Sequence, residues 1–366
     1  MKEEKLLAIL RLQKAKGVGD ILAKRLIVAT GDVEQVFKEK AAVLQKINGI
    51  GAHVLKHLFD ANTQESAEKE LSYIQKNKIS YSYFLDDDFP KNLNNCIDAP
   101  ILLFKDGNID FSNQRIISIV GTRNMTSYGR DFCNQFIEEI ATYNPIIVSG
   151  FAYGVDICAH KAAIKNNLQT IAVLAHGFEQ IYPKIHKQYM HQVYENGGFV
   201  TEFWHDENPL RENFIKRNRI VAGISRATII IESAAKGGSL ITADIANSYD
   251  KDVFSLPGRA TDIYSKGCNY LIKTNQAHLL TSAKDVVQML NWDVEKQATP
   301  KQQQLFVDLN DNEQKVVDFL HQKGKQVLDV IALDCAIPTY KLAPLLLQLE
   351  LKGVVKPLAG KLFEIC

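Results

Sequence analysis

The chain has no CxxC pair: its six cysteines (Cys96, Cys133, Cys158, Cys268, Cys335, Cys366) are scattered. That spacing excludes a disulfide framework and a cysteine zinc site, so they read as reduced thiols of a cytoplasmic protein. No apolar run approaches the ~20 residues that cross a bilayer. The opening MKEEKLLAILRLQKAKG alternates charge with single apolar residues and holds no signal-peptide core. No membrane partner is expected. Excess charge is missing too, since 43 basic residues stand against 42 acidic ones for a net +1. Any basic site must therefore be local.

Catalytic signatures are also absent. There is no GxxxxGK[ST], no GxGxxG and no GxSxG, which excludes a P-loop NTPase, an ordinary dinucleotide fold and a serine-hydrolase elbow. No paired carboxylates stand at metal-ligand spacing. No catalytic residue, metal or cofactor is expected.

What is present begins with arginine. All ten arginines precede position 260, and eight lie between Arg115 and Arg259. A guanidinium grips phosphate bidentately, so a phosphate site belongs in the middle of the chain. At 366 residues, with 46% hydrophobic and 23% charged residues, the chain is globular and exceeds one compact domain.

Residues 1–65 read as a helical domain of helix-hairpin-helix type, with glycine turns at Gly17-Val-Gly19 and Gly49-Ile-Gly51. Such turns either meet a DNA phosphate, with Lys24, Arg25 and Lys56 nearby, or simply allow tight bends. His53 and His57, four apart on one helix, lack a completing carboxylate and read as structural. Residues 66–293 alternate apolar runs with helical stretches. The runs RIISIVG, PIIVSG, TIAVLA, GFVTEF, ATIIIES and DVFSLP suit buried parallel strands. The fold class is α/β, an extended doubly wound Rossmann-like sheet, whose ligands bind outside the strands' carboxyl ends. Residues 294–308, polar and Gln-rich around Pro300, read as a linker. Residues 309–366 read as a winged helix-turn-helix. From Asn310 on, seven lysines face seven acids and there is no arginine. That balance favours a protein-contact module over a duplex reader.

Four strand ends share glycine-rich loops. Gly121-Thr122-Arg123 follows the first, Ser149-Gly150 the second, and Lys236-Gly237-Gly238-Ser239 opens a later helix; Pro257-Gly258-Arg259 follows the next strand. Glycines let backbone approach a ligand, and helix N-termini offer free N–H groups to anions. The segment Arg217-Asn218-Arg219 adds two guanidinium groups. Arg217 falls within an apolar stripe with Phe214, Val221 and Ile224, and Arg219 points nearly the opposite way. Both cannot reach one phosphate without a bend, and one could pair with a core carboxylate such as Glu202 or Glu232. For base stacking the nearest aromatics are Phe151 and Tyr153. His160, inside a helix, reads as packing.

The motifs IVGTRNMTSYG, VSGFAYGVDICAHKAAI, TIAVLAHGFEQIYP, NFIKRNRIVAGIS, GGSLITADIA and FSLPG…SKGCNYLI, in this order over most of residues 80–275, resemble the DprA/Smf family. The resemblance implies sequence-independent single-stranded DNA binding, protection of incoming DNA in natural transformation, loading of the RecA recombinase, and a homodimer built through the core. It also implies that Arg123 stands for the family's phosphate-gripping arginine, Arg217–Arg219 for its basic motif, and Gly237–Ser239 for its glycine turn. His176 and His186 depart from the family pattern. For the dimer face, the apolar residues Val286, Val287, Met289 and Leu290 are the expectation. The rival reading is a nucleotide N-glycosidase of the lysine decarboxylase-like class. Such enzymes use a glutamate beside PGGxGTxxE, where this chain has KGGSLITA.

Overall fold

Runs of β-branched residues set the sheet, because side chains that are stiff at Cβ pack well on a pleated surface buried on both faces. In the computed structural model, which describes residues 2–292, 309–358 and 360–365, the chain divides into two compact units, 1–293 and 294–366. The first holds a nine-stranded sheet: β1 (Ser80–Tyr83), β2 (Leu102–Gly107), β3 (Ile116–Val120), β4 (Ile146–Ser149), β5 (Thr170–Val173), β6 (Gly197–Thr201), β7 (Ala227–Ile230), β8 (Asp252–Ser255) and β9 (His278–Leu279). Their order is β1-β2-β6-β5-β4-β3-β7-β8-β9. Every pair from β6 through to β9 is parallel, while β1 and β2 add antiparallel. The chain winds outward from β3 to β6, then returns to β7 beside β3. The winding therefore reverses between β3 and β7, which opens a crevice at their carboxyl ends.

Period-two alternation divides the strand side chains between two cores. Ile117, Ile119 and Ile147 pack with Phe136, Ile137 and Ile140 of the helix Ser127–Ile140, and with Ala159 and Ala163 of the helix Val155–Lys165. Ile116, Val120 and Val148 face Ile220, Val221 and Ile224 of the helix Arg211–Ile224 on the other side. The expected dimer face at residues 286–290 is corrected here. Val286, Val287 and Leu290 are buried in the first of these cores, and of the four apolar residues only Met289 is exposed, at 45%. An apolar helix face next to a sheet is used by the sheet.

The N-terminal helices, from Glu3–Lys14 to Ala61–Asn77, dock on the same unit through polar bonds. Asp20 accepts the Ile101 N–H at 3.0 Å and pairs with Arg219 at 3.1 Å. Gln13 accepts the Trp204 indole N–H at 3.0 Å, and Glu70 pairs with His205. The first glycine turn thus leads into a carboxylate aimed at the protein core. The rings of His53 and His57 touch, 4.6 Å apart, and no metal-ligand cluster occurs among the described residues.

The expected linker at 294–308 lies outside the described residues. In the second unit, the helices Asp311–Lys323, Leu328–Asp334 and Thr339–Leu351 precede a hairpin of β11 (Val355–Leu358) and β12 (Leu362–Ile365), with β10 (Gln326–Val327) on the other side of β12. Val316, Leu320, Ile331, Leu342 and Leu346 form its core. This is a winged helix.

Candidate nucleic-acid interface

At the crevice between β3, β4 and β7 lies a groove of about 870 Å³, referred to as groove 1. Three loops build it, together with the helix Arg211–Ile224, the first turns of the helix Gly238–Ser248 and Asp156 at the start of the helix Val155–Lys165. The first loop, Gly121 to Thr126, carries Arg123, whose guanidinium lies 5.5 Å over the Phe214 ring. Glu232, just past β7, fixes both ends of that loop. Its carbonyl accepts the Thr122 N–H at 2.7 Å, and its carboxylate accepts Thr126 N–H at 2.8 Å and Thr126 Oγ1–H at 2.5 Å. Thr126 in turn caps the following helix at Gly129 N. Only glycine fits at 129, because a Cβ there would stand 2.5 Å from the Glu232 carboxylate.

Beneath the second loop lies Arg217. A Cβ on Gly150 would meet its guanidinium at 2.0 Å, so the bare backbone is what admits the side chain. Arg217 is 5% exposed and donates to the Val173 carbonyl at 2.6 Å, while its Nε has no partner. Burial pulls it below the ordinary guanidinium value, and Asp156 opposes that. Asp156 is itself raised by burial, with Arg217 holding it down. A buried cation with an N–H left unpaired is an anion site in waiting.

The third loop brings Lys236, Gly237 and Gly238 to the N-terminus of the helix Gly238–Ser248. Ser239 lines the groove, but its hydroxyl is buried and bonds Ser233 Oγ at 2.9 Å. What it can offer a ligand is backbone at a helix start, where the dipole favours anions.

Of the residues expected from sequence, Gly121, Thr122, Arg123, Gly150, Arg217, Asn218, Lys236, Gly237, Gly238 and Ser239 all line groove 1. Ser149 and Arg219 do not, and both expectations are corrected. Ser149 is fully buried and donates to the Ile119 carbonyl at 2.6 Å. Arg219 turns to the far side of its helix, where Asp20, Glu202 and the Asp98 carbonyl hold it. Burial pushes Glu202 up to about 7 despite that neighbour. Arg259 is not among the lining residues either. Phe151 is buried and cannot stack on a base, whereas Tyr153 is 42% exposed. His160 packs beside Thr170 Oγ1, with burial holding its imidazole neutral down to about 3. The two family departures are also structural. His176 bonds the Gly177 carbonyl and His186 the Phe151 carbonyl, each at 2.9 Å.

Sequence reasoning missed Arg211 and Phe214, which line groove 1 with Ile215 and Asn218. Their signal was the spacing i, i+3, i+4, i+7, which is one face of a helix. Arg123, Arg211 and Lys236 are exposed and form no ion pair among the described residues. Its exposed cations and the helix start at Gly238 give the groove the charge to take up polyanions.

Comparison with known proteins agrees with this geometry. Residues 80–291 match the family model described as DNA recombination-mediator protein A, and residues 297–361 match the DprA winged helix domain. The chain is 38% identical over 203 residues to the DNA processing protein DprA of Streptococcus pneumoniae, covering 56% of this chain and 71% of that one. It is 33% identical over 276 residues to the protein Smf of Escherichia coli, covering 74% of each. Among solved structures it is similar to S. pneumoniae DprA, with TM-score 0.67, 31% identity, and coverage of 79% of this chain and 98% of that one. It is also similar to Helicobacter pylori DprA, described for its single-stranded DNA binding mode, with TM-score 0.52, 29% identity, and coverage of 58% and 97%.

Proposed function

The chain belongs to the DNA recombination-mediator protein A family, and from that premise we propose that its α/β core grips the backbone of single-stranded DNA without sequence preference. The observation that carries this reading is the cation set of groove 1. Three exposed cations, with no ion pair among the described residues, stand around a buried guanidinium whose Nε has no hydrogen-bond partner, at the switch point of the sheet. Phosphate contacts of this kind dominate non-specific affinity and ignore base identity. The protein acts in the cytoplasm as a recombination mediator rather than as an enzyme, protecting incoming strands in natural transformation. There it hands them to the RecA recombinase, working as a homodimer. The winged helix, with balanced charge, contacts protein.

The test is binding of oligo(dT) across a salt series. Arg123→Ala and Arg211→Ala should each weaken binding and lower the log–log salt slope by ~0.7, the value for one phosphate contact on a single strand. Unchanged affinity in folded variants would remove the site. Hydrolysis of nucleoside monophosphates by the same preparation would move the groove to the glycosidase reading.

A further inference from the structure

Beside groove 1 lies a second groove of about 570 Å³, entered across Arg123 and Asn124, which line both. It is built from different elements. Arg130 comes from the helix Ser127–Ile140 and Lys161 from the helix Val155–Lys165, and both are exposed. Neither forms an ion pair among the described residues. Groove 1 has two carboxylates in its lining, Asp156 and Asp244; the second groove has none. It also carries aromatic rings. Tyr153 and Tyr189 line it on either side of His186, whose ring lies 5.1 Å from one and 5.9 Å from the other. Lys161 Nζ stands 5.1 Å over the Tyr189 ring.

Cations without acids, next to one exposed aromatic ring, Tyr153, and a half-buried one, Tyr189, suit a single strand: charge for phosphates and a flat apolar face for a base. We propose that this second groove takes the next nucleotides of the strand held in groove 1, with phosphates at Arg130 and Lys161 and a base against Tyr153. The proposal rests on the single-strand reading above and extends it. Arg123 then becomes the joint of the track, because it faces both grooves. Continuity with groove 1 and the sign of the charge select a nucleic-acid strand as the occupant over an apolar or cationic partner.

Cys158 provides a reporter that needs no substitution. It lines the second groove, whereas Cys96, Cys133 and Cys268 are buried and Cys335 belongs to the second unit. In the full-length protein, maleimide alkylation of Cys158, read by peptide mass with Cys335 as reference, should slow severalfold under saturating long oligo(dT). A trinucleotide, used as the probe of groove 1 alone, should not slow it. The Arg130→Gln/Lys161→Gln double variant should lower the salt slope for long oligo(dT) by ~1.4, two contacts at ~0.7 each. It should weaken long-strand binding at least tenfold and leave the trinucleotide within twofold, and Arg130→Lys/Lys161→Arg should restore both. Tyr153→Ala should cost about tenfold on the long strand. If Cys158 stays equally reactive, or the double variant keeps the full slope while Arg123→Ala and Arg211→Ala still weaken binding, the strand leaves groove 1 by another route and the proposal fails alone. If those two variants also bind normally, the single-strand reading fails with it.

Discussion

At the scale of single residues, Glu232 decides how Arg123 is presented. Two opposing effects meet there. A carboxylate near a phosphate site repels the ligand, so neutralising it should tighten binding by simple Coulomb reasoning. Yet this carboxylate holds Thr126 by two hydrogen bonds and so anchors the loop that carries Arg123. Hydrogen bonds to a charged group are each worth ~1.5–3 kcal/mol, and Glu232 is 3% exposed, so the anchoring role should win. Glu232→Gln is expected to weaken oligo(dT) binding severalfold and to lower thermal stability by a few degrees. Tighter binding in that variant would show that repulsion dominates and that the loop holds its shape unaided. The residue scale is also where sequence reading reached its limit. Arg217 and Arg219 are two positions apart, so a helix necessarily sends them to different sides. Which of them turns away from the groove depends on Asp20, whose carboxylate comes from 199 positions away. No local pattern carries that information.

At the scale of elements, the central parallel strands were legible because a strand covered on both faces is a continuous β-branched run. The edge strands were not. β1 reads SYSY and β9 is two residues long, so their pairing is imposed by neighbours rather than by their own periodicity. The helix at Ala283–Met289 was legible as apolar, but its partner was not, and the sheet claims its inner face. The winged unit offers its own test. Glu313 is a buried carboxylate that closes the capping box of the helix Asp311–Lys323 and pairs with Lys352 at 2.8 Å. The hydrogen bond from Lys352 holds it below the usual carboxylate range. A depressed acid stabilises the fold above its unfolded value, and that contribution is lost as pH falls through the depressed one. Hydrogen exchange of the amides in Asp311–Lys323 should therefore accelerate on acidification. Lys352→Met should accelerate it already at neutral pH, by roughly 1–3 kcal/mol of local stability. Equal protection in wild type and variant would show that the capping box suffices.

At the scale of the whole first unit, the N-terminal helices are tied to the sheet by Asp20, Arg219 and Glu202, two carboxylates around one guanidinium. Burial raises Glu202 to about 7, so the folded state keeps a proton that the unfolded chain releases at the ordinary glutamate value. Stability must then fall as pH rises from about 4.5 through about 7, with a slope of at most ~1.4 kcal/mol per pH unit for one proton. Glu202→Gln should flatten that stretch, measured as denaturation midpoints at acidic and mildly basic pH. An unchanged slope would place the proton elsewhere. The sheet itself has a further consequence. Its two borders are a four-residue strand on one side and a two-residue strand on the other, both too short to template a long ladder with another chain. Copies of this protein that come together must therefore recognise each other through side chains. Such a contact can be tuned or lost by single substitutions, and it leaves the sheet closed to the runaway strand exchange that builds fibres.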